Sequence, residues 1–334
     1  MRYSAFILCS AVLILAAQSA PAQTDLPTFR QTVNVEVVDA QVIHKKTGQP
    51  VTSLKREDFQ IFEDKVLQEI TSFSRDELPM SIVLLFDLTD SVRPVLKPLA
   101  AGAMEALEHL GSEDEVSVMV YSSKVTLLQG PTKDRALVVA AIAKASRMES
   151  REAAFFNEGI FQAAAQLGKN ADPNIRRVII WFTDDVPNIP SEEVRATLGR
   201  SAAPGTLHTE QQAITQALRT GVVVCTLLKR SEISDQEDAN RSTARIVGAM
   251  VYPPGEVYKY ARTTGGLVIE ASGKKMKARL AEMIDDLRMR YSLSYHPSAK
   301  KPKGTFCSLQ VKLSPDLKKA QKDLIVEAKQ GYYR

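Results

Sequence analysis

Two kinds of apolar pattern divide the chain. Near residue 33, Val33, Val35 and Val37 alternate with Asn34 and Glu36, the period-two signature of a half-buried strand. Lys46-Thr47-Gly48-Gln49-Pro50 interrupts as a turn. QIFED and VLQEITSFS flank Asp64-Lys65 and predict a β-hairpin turning near residues 63–65. So few strands cannot close a core of their own, so residues 30–75 must lean on another part of the chain.

From Ser81 the texture changes. IVLLFD, RRVIIWFTDD and VVVCTLL are apolar without alternation, as expected of parallel strands covered on both faces. EVSVMVY adds a further strand. Helical spacing falls between the strands, at 94–110, 133–146, 155–167, 208–220, 257–263 and 274–290. Gly221 sits where a C-terminal cap belongs. This alternation predicts an α/β fold, a doubly wound, mostly parallel sheet with helices on both faces. YSLSYHP, FCSLQVKL and LIVEAK then return to strand character. They are expected to pair with the N-terminal segment in a small β-rich accessory region. Residues 186–207 and 229–254 read as long loops.

The N-terminus predicts export. Arg2, the apolar run Phe6 to Ala17 and Ala20-Pro21-Ala22 read as a secretory leader with a cleavage site near Ala22, an uncleaved membrane anchor being the alternative. No later stretch is long and apolar enough to span a bilayer. The expected organisation is a leader at 1–22, a β segment at 23–79, an α/β domain at 80–290 and a C-terminal β segment at 291–334. Location beyond export, in the periplasm or outside the cell, is left open.

Composition changes little. The chain is 44% hydrophobic and 25% charged, with a formal net charge of +4. Those are globular proportions. The late lysines, such as Lys274, Lys275 and Lys277, lack interleaved aromatics, which argues against a nucleic-acid partner. After the leader only Cys225 and Cys307 remain, free or bridged to each other, and the four histidines are scattered. Zinc and haem patterns are absent.

The chemistry concentrates where buried strands end. IVLLF runs into Asp87, followed by Thr89 and Ser91, and VIIWFT runs into Asp184. Ligands of open α/β sheets bind outside the carboxyl ends of strands. Carboxylates and hydroxyls together suit a hard divalent cation such as Mg²⁺ or Mn²⁺. Helix capping explains the same residues without a metal.

MSIVLLFDLTDSV resembles the metal-ion-dependent adhesion site of von Willebrand factor A domains, Asp-x-Ser-x-Ser, with Thr89 in place of the first serine. VIIWFTDD resembles the strand carrying that site's distal aspartate, with Asp185 where glycine is usual. The β segment from Val33 to Ser74, the stretch ARTTGGLVIEA and the ending YSLSYHP to GYYR resemble the layout of related proteins abundant in acidobacteria. The resemblance implies metal ligands Asp87, Thr89 and Ser91, with Asp184 acting through water. One departure stands out: Ala154 falls where the adhesion site carries a loop threonine, and Ser150 is the nearby hydroxyl.

Three functions compete. The first is a protein-binding module in which an acidic side chain of a partner completes the metal shell. The second is a metal-independent assembly scaffold using strand edges. The third is hydrolysis by metal-activated water with Asp185 or Glu152 as base. No nucleophile, base and oxyanion donors assemble, so the chain reads as a non-enzyme. His109, before Gly111, reads as a helix cap.

Overall fold

The computed structural model describes residues 35–75, 78–89, 92–148, 154–170, 172, 174–185, 208–229, 257–272, 275–297 and 301–334. The expected leader, the loop at 186–207 and the excursion beyond Lys229 lie outside the described residues. So do Ser91, Ser150 and Glu152.

In chain order the first strands are β1 (Glu36–His44), β2 (Phe59–Glu63), β3 (Val66–Gln68), β4 (Ile70–Ser74) and β5 (Met80–Asp87). Helix α1 (Arg93–Leu107), strands β6 (Glu115–Tyr121) and β7 (Val125–Thr132), and helices α2 (Arg135–Ala145) and α3 (Phe156–Leu167) follow. Then come β8 (Arg176–Thr183), α4 (Glu210–Arg219), β9 (Val222–Lys229), α5 (Val257–Thr264), β10 (Val268–Ala271) and α6 (Met276–Arg288). The chain ends with β11 (Tyr291–Tyr295), β12 (Phe306–Leu313), α7 (Pro315–Ala320), β13 (Leu324–Ala328) and β14 (Gly331–Tyr333).

Among the described residues the central sheet has six strands, in the order β10-β9-β8-β5-β6-β7. All pairs are parallel except β6–β7. Every residue of β5 is buried. The reason is that helices cover both faces. Leu96, Leu99, Ile142, Leu280 and Ile284 pack with Ile82, Leu84 and Phe86 on one side. Ile160, Ala164, Ile214, Ala217 and Tyr260 pack with Val83, Leu85, Ile179 and Trp181 on the other. This is the doubly wound α/β fold predicted from the apolar runs. The helix starts are locally coded: Asp134 accepts from the Ala136 and Leu137 N–H groups, and Thr209 and Gln212 form a reciprocal capping box.

Two antiparallel sheets accompany the central one, in the orders β13-β1-β11-β4 and β14-β12-β2-β3. Both draw strands from the two ends of the chain. Their facing sides share a core that includes Val38, Val42, Ile61, Leu293, Tyr295, Leu309 and Tyr332. This pair of sheets meets the amino-terminal ends of the central strands. Arg176, the first residue of β8, donates from Nε to Asp39 of β1 at 3.0 Å.

Three details differ from the sequence reading. VLQEITSFS breaks at Glu69 into β3 and β4, which join different sheets. An unforeseen strand, β7, closes the central sheet antiparallel to β6. A short unforeseen helix, α7, starts at Ser314, whose hydroxyl accepts the Leu317 N–H. Cys225 in β9 and Cys307 in β12 are both buried and free, so they form no bridge.

Candidate functional site

β5 is the first strand of the central sheet, and the chain leaves it toward β6 on one flank and β8 on the other. The carboxyl edge between β5 and β8 is therefore the topological switch point of the sheet, the place where open α/β sheets bind ligands. Asp87 ends β5 and Asp184 directly follows β8, so the two acids flank this switch point.

Asp87 is only 1% exposed. Its Oδ1 accepts the Thr89 backbone N–H at 2.8 Å. Its Oδ2 accepts the Tyr121 hydroxyl at 3.0 Å and the Thr183 hydroxyl at 3.4 Å. The Thr89 hydroxyl also bonds to the carboxylate. Burial pushes the Asp87 carboxyl up to about 6; the bonds from Thr89 and Tyr121 oppose this, and the like charge of Asp184 adds to it.

Tyr121 was not foreseen. It ends β6 and is the parallel register partner of Asp87, which brings its ring beside the carboxylate. Its oxygen accepts the Trp181 Nε1–H at 2.9 Å. A chain of donors thus runs from Trp181 through Tyr121 to Asp87, inside the core. Trp181 is fully buried, as its place in a core strand predicted, and its one polar atom serves this relay. Strand register brings these residues together, and register is not written in any one segment.

Asp185 has φ = 61°, the left-handed region that favours glycine and that aspartate tolerates. That is the physical content of the glycine usual at this position. The Asp185 N–H donates to the Thr183 hydroxyl at 3.2 Å, and its Oδ1 accepts the Val257 N–H at the start of α5, at 3.5 Å. Asp185 shapes the turn and ties it to α5.

Ala154 is fully buried against Ile160, Tyr121 and neighbours. Its methyl offers no ligand where the resemblance placed a threonine. Of the four residues expected to hold a metal, Asp87, Thr89 and Asp184 come together at the switch point, and Ser91 lies outside the described residues.

The donor set fits a hard cation. The Asp87 and Asp184 carboxylates repel each other, and the Thr89 hydroxyl lies on Asp87. A Thr89 hydroxyl that gives its proton to Asp87 keeps its lone pairs for a metal. His109, read as a helix cap, instead pairs through Nδ1 with Asp285 of α6 at 2.9 Å.

Residues 82–186 match the family model of the von Willebrand factor type A domain. The chain therefore carries a von Willebrand factor type A-related domain on a doubly wound α/β sheet. Solved structures similar to it include BatB from Bacteroides thetaiotaomicron, at 14% identity and TM-score 0.41, covering 62% of this chain and 98% of that one. A von Willebrand factor type A protein from Catenulispora acidiphila matches at 11% identity and TM-score 0.43, over 91% of this chain and 74% of that one. The vWF domain of the type V pili tip protein Mfa5 from Porphyromonas gingivalis matches at 11% identity and TM-score 0.40, over 64% and 96%. No curated protein matches the chain. Among the described residues, no helix is long and apolar enough to cross a membrane.

Proposed function

We propose that the chain is an exported protein-binding module that engages its partner through a divalent cation. Mg²⁺ or Mn²⁺ would be held by Asp87, Thr89 and Ser91, with Asp184 acting through water. The cation would supply a Lewis-acidic position for a carboxylate of the partner. The residues of the chain do the rest. Tyr121 and the Thr89 N–H fix the Asp87 carboxylate in one orientation, and Asp185 ties the end of β8 to α5. The role is binding and not catalysis, the location is the periplasm or the extracellular space, and the finer grouping with acidobacterial proteins of this layout is part of the same reading.

The observation that carries this reading is the convergence of Asp87 and Asp184 at the switch point of the sheet, with the Thr89 and Thr183 hydroxyls on the Asp87 carboxylate. The test is calorimetric titration of the protein with Mg²⁺ and with Mn²⁺, beside Asp87→Ala. Saturable binding that the variant loses is the expected result. Equal heats from the two proteins would overturn the reading. Buried Ala154 favours the second possibility, a scaffold that assembles through strand edges without metal. In that case chelation would leave partner binding unchanged.

A further inference from the structure

The two accessory sheets part company along the β12–α7–β13 segment. β14 pairs with Phe306 to Ser308 of β12, and the Leu309 N–H still reaches the Gln330 carbonyl at 2.8 Å. Before Gln330, however, the returning strand belongs to the other sheet, where β13 pairs with β1. β12 and β13 thus form a fork whose closed end is Leu309–Gln330.

Register shows what the fork leaves open. Ser308 accepts from the Asp64 N–H, and Ser314 donates to the Asp58 carbonyl, both across the β12–β2 pair. Even-numbered residues of β12 therefore bond to β2, and the N–H and C=O of Val311 point away from it. On the other arm, Lys45 donates to the Asp323 carbonyl across the β1–β13 pair. Odd-numbered residues of β13 therefore face β1, and the N–H and C=O of Val326 point away from it. Val311 and Val326 both line a groove of about 470 Å³. Among the described residues, two strand edges with no pairing strand thus border one cleft.

The cleft is basic. Its charged lining residues are Lys65, Arg262, Lys329 and Glu327. Lys329 is already paired with Glu36, at 2.5 Å. Lys65 and Arg262 are exposed. Lys65 is held in the left-handed turn of the β2–β3 hairpin, at φ = 70°. Burial raises the carboxyl of Glu327, the acid among the described lining residues, against the pull of Arg290 and Arg262.

We infer that this fork binds an extended, acidic segment of a partner protein, taken up as an added strand whose main chain bonds to the outward edges at Val311 and Val326 and whose carboxylates meet Lys65 and Arg262. Apolar side chains alternating with the acids would pack on the valine side chains. The site belongs to the accessory sheets, and it needs no cation. Its success or failure is therefore separable from that of the strand-end site: chelator leaves it untouched.

The test uses the full chain and a fluorescein-labelled peptide, acetyl-Glu-Val-Glu-Val-Glu-Val-amide, followed by fluorescence polarisation in the presence of EDTA. Saturable binding is expected, at least tenfold tighter than that of the Lys-Val counterpart. Lys65→Glu with Arg262→Glu should reverse this preference. Val311→Pro removes an outward donor and should weaken binding at least fivefold. N-methylation of alternate residues of the peptide removes its own donors and should do the same, whether or not the proline variant folds. No binding of the acidic peptide at millimolar concentration would overturn the inference. So would equal binding of both peptides, or unchanged binding after N-methylation.

Discussion

Replacing Asp39 by Asn should destabilise the protein by about 3 kcal/mol. Asp39 accepts from Arg176 Nε at 3.0 Å and from Nη2 at 3.3 Å, and also from the Ser292 hydroxyl at 3.0 Å. The Arg176 side chain is 1% exposed and that of Asp39 is 18% exposed. Arg176 also donates to the Leu287 carbonyl at 2.6 Å, which holds the guanidinium in place. Asparagine keeps one acceptor oxygen but leaves the guanidinium buried without its counter-charge. Removing one partner of a buried pair costs roughly 3–5 kcal/mol, and the partial exposure of Asp39 sets the lower end. At roughly 2–4 °C per kcal/mol, the melting temperature should fall by about 6–12 °C. Urea denaturation followed by circular dichroism measures the difference directly. Adding Arg176→Met removes the orphaned charge and should recover part of the loss. A loss under about 1 kcal/mol in the single variant, or a double variant weaker than both singles combined, would refute the reasoning.

Tyr121→Phe removes a donor to Asp87 and strands the Trp181 N–H; a loss of about 2–3 kcal/mol is expected in the same assay, and a neutral outcome would show the relay to be unimportant. The Asp286 carboxyl is pushed up to about 6 by burial, with Glu282 and Asp285 adding like charge. Its contribution to stability is full below pH about 4 and is lost as pH rises through about 6, so Asp286→Asn should be the more stable protein at pH 8 and show a flatter profile from pH 4 to 6. Equal pH profiles would contradict this. Gly266→Ala places a β-carbon onto the Val224 carbonyl and should cost about 3 kcal/mol, read as a lowered urea midpoint.

The central fold was legible because burial on both faces erases alternation, and IVLLFD and VIIWFT carry that mark openly. Asp87 and Asp184 were legible for a related reason: an acid that closes an apolar strand has few other places to go. β7 was not. VTLLQGPT is half-exposed at a sheet edge and contains glycine and proline, so it lacks both the alternation and the apolar run that announce strands. The break at Glu69 was hidden because alternation is the same whichever sheet a strand joins. The paired glycines before LVIEA read as the end of the helix at 257–263 and as part of the resemblance, neither of which says why both must be glycine. The structure supplies their cause, since a side chain on Gly265 would overlap the β13 backbone at Ala328 and one on Gly266 would overlap Val224.

The accessory sheets also set a schedule for folding. β1 pairs with β11 and β13, which lie at the far end of the chain. At roughly 5–20 residues per second, a ribosome needs about 12–50 s to travel from His44 to Tyr291. Throughout that interval β1 has neither neighbour, and its edges are free to meet other chains. The first strands therefore stay without their partners until the last ones have been made.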